Sequence, residues 1–213
     1  ADVDLDGCEM SYALENIIPE VKNFKKSKSS IKKIKNDDLS DGVFTYFLFD
    51  EDDKRCSDLT SLDWQDFEKG VVCITGYTGK ETFIEIPEQI DGRTVAIIYK
   101  LSGGKKIKGI HFKNSKNQVF VEPDAFKECT DVEEITVDVS DKIVFTEGAL
   151  SHCKKLAKDG FIIAGGVLAD DLNKKDRKVL IIPEGVRKLS YGIYKDCKKI
   201  VEIVLKTGYN EIY

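Results

Sequence analysis

One segment recurs three times in the second half of the chain, and this repetition constrains the fold more than any other feature of the sequence. The three copies are VFVEPDAFKECTDVEEITV (119–137), IVFTEGALSHCKKLAKDGF (143–161) and VRKLSYGIYKDCKKIVEIVL (186–205). They align on their single cysteine. A unit this short cannot bury its apolar side chains by itself, whereas stacked neighbours can bury them against one another. The repetition therefore predicts a solenoid of stacked, mainly β, units.

The pattern apolar-x-x-apolar-x-apolar marks a short strand at the end of a repeat. It occurs three times, as Ile107, Ile110, Phe112, as Val132, Ile135, Val137 and as Ile200, Ile203, Leu205. The middle copy of the segment is degraded because Asp159 occupies the second apolar position. Cys129 and Cys153 are 24 residues apart, whereas Cys153 and Cys197 are 44 residues apart. The longer gap holds an insertion with a Gly-Gly pair and a second apolar run.

Several linked motifs resemble the BspA-type leucine-rich repeats of bacteria. They are GVVCITGYTGKETFIEIPEQIDGRTVAII, VEPDAFKEC and VLIIPEGVRKL, which span about residues 70–213 together with the segments between and after them. The chain departs from the family where Leu150 replaces Phe, where Ile193 and Tyr194 replace Ala-Phe, and after Ile98, where an Ala-Phe-x-x-Cys block is missing. The resemblance implies a right-handed leucine-rich-repeat solenoid of about four repeats. It also implies bacterial surface display and adhesin-like binding, without supplying a ligand or a binding residue.

Residues 1–40 fall outside the resemblance and are predicted to form a separate N-terminal region. Apolar residues recur there at helical spacing around Pro19, and a Lys/Ser-rich linker follows. Residues 41–213 are predicted to form the repeat domain, with a capping hairpin over 41–78 and repeats over about 79–213. The helix and the hairpin would act as a cap, since the end of a solenoid exposes apolar surface and an unpaired strand edge.

The repeat places three cysteines at equivalent positions inside the solenoid, where a free thiol acts as a small apolar group. This favours a ladder of buried thiols formed by Cys129, Cys153 and Cys197. A disulfide between Cys129 and Cys153 is an alternative, because neighbouring strands lie about 4.8 Å apart. Zinc held by these cysteines with His152 is another, although the spacing is that of the fold rather than of a zinc site. A bond between Cys8 and Cys56 is also open, and the remaining cysteine is Cys73.

The sequence offers few residues for catalysis or metal binding. The two histidines are His111 and His152, and His152 and Cys153 are neighbours that point to opposite sides of an extended segment. The N-terminal ADVDLDG has the first half of a calcium loop, but Ala13 stands where the closing acid is required. No phosphate-binding glycine motif occurs. We therefore predict no enzyme activity, no cofactor and no metal site.

The charge balance bears on partners and location. With 33 basic and 38 acidic residues the net charge is −5, so general binding to nucleic acid or to an anionic membrane is not expected. A lysine run between Lys22 and Lys35 favours a solvated face over contact with an anionic partner.

The apolar run FIIAGGVLA is too short for a transmembrane segment. A start at Ala1 fits a secreted or cell-surface protein whose signal peptide was removed, or a trimmed chain.

Strand alternation turns the residues between the inward apolar ones toward solvent. The candidate recognition surface predicted in this way consists of Gly109, His111, Lys113, Glu134, Thr136, Asp138, Glu202, Val204 and Lys206. A merely solvated strand face is the alternative. We expect a non-enzymatic, secreted or cell-surface protein that binds an unknown macromolecule, such as a host matrix protein or a bacterial surface component. A structural or spacer module of a larger surface protein is the alternative function.

Overall fold

The computed structural model describes residues 38–63, 66–113 and 116–205, which belong to one compact unit. Within these ranges the chain forms a β-solenoid of about five turns, and the predicted solenoid is confirmed. The number of turns is close to the four repeats that the resemblance implies. Helix in the described part is limited to 3-10 turns at Cys56–Asp58, Thr60–Asp63, Gly104–Lys106, Ser140–Lys142 and Lys154–Leu156. The predicted helix and lysine-rich linker lie outside the described residues.

An antiparallel hairpin begins the solenoid. Strand β1 (Leu39–Ser40) pairs with β2 (Phe44–Leu48), and β2 pairs with β3 (Val72–Tyr77), both antiparallel. From β3 onward the pairing is parallel, and the strands that follow are β6 (Arg93–Ser102), β8 (Val119–Val121) and β10 (Ile143–Phe145). A short strand, β5 (Gln89–Ile90), pairs antiparallel with the start of β6. The strands β3, β6, β8 and β10 form the long ladder.

A second parallel ladder carries one strand from each of three successive turns. Its strands, here the outer ladder, are β4 (Phe83–Ile86), β7 (Gly109–Phe112) and β9 (Glu134–Val137). The register places Ile84, Ile110 and Ile135 side by side, and all three side chains are buried. The predicted equivalence of Ile110 and Ile135 is therefore confirmed. Apolar side chains of the outer and long ladders meet in one core.

The insertion forms its own hairpin and so interrupts the regular stacking. Strand β12 (Phe161–Ala164) pairs antiparallel with β11 (Ala157–Lys158) and with β13 (Val167–Asp171), and Gly165 and Gly166 make the turn at positive φ. Strand β13 then pairs parallel with β15 (Lys188–Leu189). A separate two-stranded parallel sheet follows, formed by β14 (Val179–Ile182) and β16 (Glu202–Leu205).

The first turns are covered on their back as well as on their front. A second apolar cluster, which includes Phe47, Phe49 and Cys56, packs against Cys73 and Ile97 of the long ladder. Strands β3 and β6 are thus buried on both faces. This explains why VVCITGY and TVAIIY are continuous apolar runs rather than alternating ones.

The cysteine column consists of free thiols rather than disulfides. Cys129 and Cys153 are fully buried, and the Cys153 thiol donates to the Cys129 carbonyl oxygen at 3.5 Å. Burial raises the pKa of each of these two thiols to about 12. Cys197 is half-buried because it lies toward the last described turn. Cys56 is also a free, buried thiol, and Cys8, its possible bonding partner, lies outside the described residues.

Candidate recognition surface

Every second residue along a strand of the outer ladder faces outward. Residues at equivalent positions on the three strands line up in columns, and the face has three such columns. The first column runs Phe83, Gly109, Glu134 and the second runs Glu85, His111, Thr136. Just beyond the strands, the backbone N–H groups of Lys113 and Asp138 donate to carbonyl oxygens of the preceding turn. This continues the ladder by one residue and forms a third column. Regular backbone pairing thus holds side chains from three turns at fixed spacing on one face.

His111 links two turns of this face. Its Nδ1 atom lies 2.9 Å from the Thr136 hydroxyl, and its Nε2 atom lies 3.3 Å from a carboxylate oxygen of Asp138. The side chains of His111 and Asp138 remain about two-fifths exposed. His111, Thr136 and Asp138 therefore lie in contact on one face, and recognition of a partner by this face stays a prediction.

Two lysines near this face are engaged by carboxylates of a neighbouring turn. The Lys113 ammonium group lies 3.2 Å from a carboxylate oxygen of Glu85. The Lys155 ammonium group lies 2.7 Å from Asp131 and 3.6 Å from Glu133. Its hydrogen bond lowers the pKa of Asp131 below the usual value. Such exposed pairs contribute little to stability, but they neutralise the charges of these two lysines.

Gly109 does not contribute a contact surface of its own, contrary to the prediction. It is buried, because the ring of Phe83 leans across it from the preceding turn. A Cβ atom on Gly109 would lie only 2.4 Å from a ring carbon of Phe83. Phe83 itself is 64% exposed and belongs to the face, as does Glu85. Both were missed by the sequence prediction, although the alternation in FIEI carries the signal that would have found them.

The last three predicted residues do not extend this face. Glu202 and Val204 lie on β16, which pairs with Val179 and Ile181 of β14 rather than with the outer ladder. The reason is the insertion hairpin, which separates β9 from β14 along the chain and adds its own strands between them. Lys206 lies outside the described residues.

A polar cavity of about 460 Å³ lies beside the long ladder. Its most buried acid, Glu122, accepts hydrogen bonds from the backbone N–H and hydroxyl of Thr60 and from the N–H of Ser61. This carboxylate therefore holds the 3-10 turn that begins at Thr60 against β8. The Glu122 carboxylate thus uses its hydrogen bonds to hold the fold together rather than to bind a ligand.

The thiol and imidazole of the His152–Cys153 pair point away from each other. His152 Nε2 lies 3.2 Å from Asp124, while the Cys153 thiol faces the carbonyl oxygens of Phe126 and Cys129. In the described part of the chain, no group of three or more His, Cys, Asp or Glu side chains is arranged to hold a metal ion. No helix among the described residues is long and apolar enough to cross a membrane.

Two solved bacterial structures resemble this chain. A leucine rich cell surface protein from Faecalibacterium prausnitzii A2-165 is 19% identical, with 83% of this chain and 44% of that one covered and a TM-score of 0.37. A Leucine Rich Repeat protein from T. pallidum is 18% identical, with 78% and 71% covered and a TM-score of 0.43. This chain thus spans less than half of the first structure. No family model and no curated protein matches the chain, so its fold rests on the strand registers described above.

Proposed function

We propose that the chain is a BspA-type leucine-rich-repeat protein, secreted or displayed on a bacterial surface, which binds a protein partner non-enzymatically through the outer ladder. The observation that carries the proposal is the contact between turns on this face, where His111 touches both Thr136 and Asp138. The motif resemblance supports the family and the location. A host matrix protein or another bacterial surface component is the partner class that we propose.

The physical argument for binding is preorganisation. Side chains on paired strands are held more firmly than side chains on loops, so a partner that meets them loses less conformational freedom on binding. The face mixes an exposed aromatic ring, carboxylates, a lysine and an imidazole. Such a mixture provides both apolar contact and directional hydrogen bonds, which protein interfaces combine.

A binding assay on purified matrix proteins tests the proposal. We expect the full chain to bind one or more of immobilised fibronectin, fibrinogen, laminin and collagen, and the variant His111→Ala/Thr136→Ala/Asp138→Ala to bind at least tenfold more weakly. The matched control is Lys127→Ala/Glu128→Ala, which alters exposed charges away from the outer ladder. Binding to none of these proteins, or equal loss in both variants, would contradict the proposal.

A structural or spacer module is the second candidate, and the last described strand favours it. Ile203 is 62% exposed and Val201 82% exposed, whereas Ile110 and Ile135 at equivalent positions are buried. Uncovered apolar surface of this kind is typical of a contact site. Sedimentation of the full chain would show concentration-dependent self-association that Ile203→Lys abolishes. A monomer at all concentrations would rule out the self-associating form of this candidate.

A further inference from the structure

An aromatic ring and a carboxylate flank Gly109 on the outer ladder. Phe83 and Glu134 occupy the same column on either side of this glycine, and both side chains are exposed. Because Gly109 has no side chain, the Phe83 ring leans over it toward β9. The ring and Glu134 line one shallow hollow of about 90 Å³, which His111 and Thr136 also border.

The protein itself uses an aromatic ring with a carboxylate to hold an arginine. The guanidinium carbon of Arg55 lies 3.9 Å from the centroid of the Phe47 ring. The same guanidinium is bound by Asp53, with the closest nitrogen and oxygen 2.6 Å apart. The ring supplies a cation–π contact and the carboxylate supplies charge-assisted hydrogen bonds.

The insertion repeats this arrangement with different residues. The guanidinium carbon of Arg177 lies 3.9 Å from the centroid of the Phe161 ring, and its Nε donates to the buried carboxylate of Asp171. Two separate parts of the fold therefore place an arginine between a phenylalanine and an aspartate.

Phe83 and Glu134 have the ring and the carboxylate of such a site but no arginine. Among the described residues, Glu134 has no side-chain hydrogen bond or ion pair, and no cation lies over the Phe83 ring. Lys113 is paired with Glu85 and Lys155 with Asp131. Lys108, which directly precedes Gly109, forms no salt bridge with Glu134 in the described part of the chain.

We infer that Phe83 and Glu134 form a receptor for an arginine side chain of a protein partner. This inference rests on the proposed function, because it names the side chain that the outer ladder binds. A planar guanidinium can stack on the exposed ring while it donates to the carboxylate, whereas the compact lysine ammonium has no flat face to stack. Glu134 supplies the complementary charge.

The test is a titration of the isotope-labelled full chain with the peptide acetyl-Gly-Arg-Gly-amide, followed by NMR at the Gly109 amide and the Phe83 ring. The control peptide carries citrulline, which keeps the planar shape of the side chain and removes its charge. We expect saturating shifts with the arginine peptide, smaller shifts with a lysine peptide, and none with citrulline. Equal responses to the arginine and citrulline peptides, or no saturating response to the arginine peptide, would overturn the assignment.

Variants locate the site. Phe83→Leu keeps an apolar side chain over Gly109 and is expected to weaken the arginine peptide about two- to fivefold through loss of the cation–π contact. Glu134→Gln is expected to weaken it by a similar factor and to remove its salt dependence. Glu184→Gln is the matched control, because Glu184 is an exposed carboxylate outside the outer ladder, and it is expected to leave binding unchanged. Loss of binding in Glu85→Gln alone would place the cation at Glu85 rather than at Glu134.

The two proposals fail in different ways. Matrix-protein binding that is lost in the His111 triple variant, with no response to the arginine peptide, would overturn the receptor and leave the recognition face. Peptide binding that requires Phe83 and Glu134, with no matrix protein bound, would support the receptor and overturn the proposed class of partner.

Discussion

Truncating equivalent isoleucines to alanine on successive turns should destabilise the protein by unequal amounts. Ile110 is 2% exposed and Ile135 is 7% exposed, whereas Ile203 on the last described strand is 62% exposed. Ile110→Ala and Ile135→Ala each remove buried methyl groups and leave a cavity, which costs about 2–5 kcal/mol. Because the core is enclosed between the two ladders at these positions, the surroundings have little freedom to collapse.

The expected cost at Ile203 follows from its exposure. Complete burial of such a side chain stabilises a protein by about 1.5–3 kcal/mol. Ile203 has only about two-fifths of its surface removed from water, so Ile203→Ala should cost about 1 kcal/mol. No cavity contribution is added, since the site opens to solvent.

Urea denaturation followed by circular dichroism measures the difference. With a typical slope of about 1–3 kcal/mol per molar urea, a loss of 3 kcal/mol lowers the midpoint by about 1–3 M. Hydrogen exchange of the β7 and β16 amides shows whether the last turn opens separately, as solenoids can. An Ile203→Ala cost equal to that of Ile110→Ala would refute the reasoning, because it would mean that the last strand is covered. A cost below about 1 kcal/mol at Ile135 would equally refute the shared core column.

Two further predictions concern ionisation. Hydrogen bonds from Arg55 hold the pKa of the buried Asp53 carboxyl below its usual value. The ionised Asp53 carboxylate therefore stabilises the fold fully above the unfolded pKa near 4, and this stabilisation is lost as the pH falls through the lower folded pKa. Asp53→Asn should therefore cost about 1.5–3 kcal/mol at pH 7 and progressively less as the pH falls below about 4 in chemical denaturation, and a cost independent of pH would contradict this. Because burial raises the pKa of the Cys129 and Cys153 thiols to about 12, a thiol reagent at pH 8 should label the half-buried Cys197 before either of these two thiols, as site-resolved mass spectrometry would show. Labelling of Cys153 as fast as Cys197 would disprove the buried thiol ladder.

The sequence was sufficient where structure depends on periodicity. The spacing of apolar residues identified Ile110 and Ile135 as one buried column, since one residue per turn must face the core in every stacked unit. The same reasoning placed Cys129 and Cys153 inside. Alternation then identified His111 and Thr136 as neighbours on the outer face, and their side chains are in contact.

Where the sequence was insufficient, the cause was the reach of a side chain or the path of an insertion. Alternation shows that position 109 faces outward, but not that the ring of Phe83 from another turn covers it. Likewise, the 44-residue spacing before Cys197 reveals an insertion, but not that its hairpin separates Glu202 and Val204 from the outer ladder. Both facts depend on contacts between segments distant in sequence, which a repeat alignment does not contain.

The register of the long ladder bears on how such a protein changes length. Val119 pairs with Ile143 and Val121 with Phe145. The segment from one of these strands to the next therefore begins and ends at equivalent positions of successive turns. A gene duplication of this segment would add one turn without altering the antiparallel hairpin that begins the fold, since each turn contacts only its neighbours. The outer face would lengthen by one strand, with new side chains free to diverge. The size of the outer face is thus a heritable quantity that recombination can change one turn at a time.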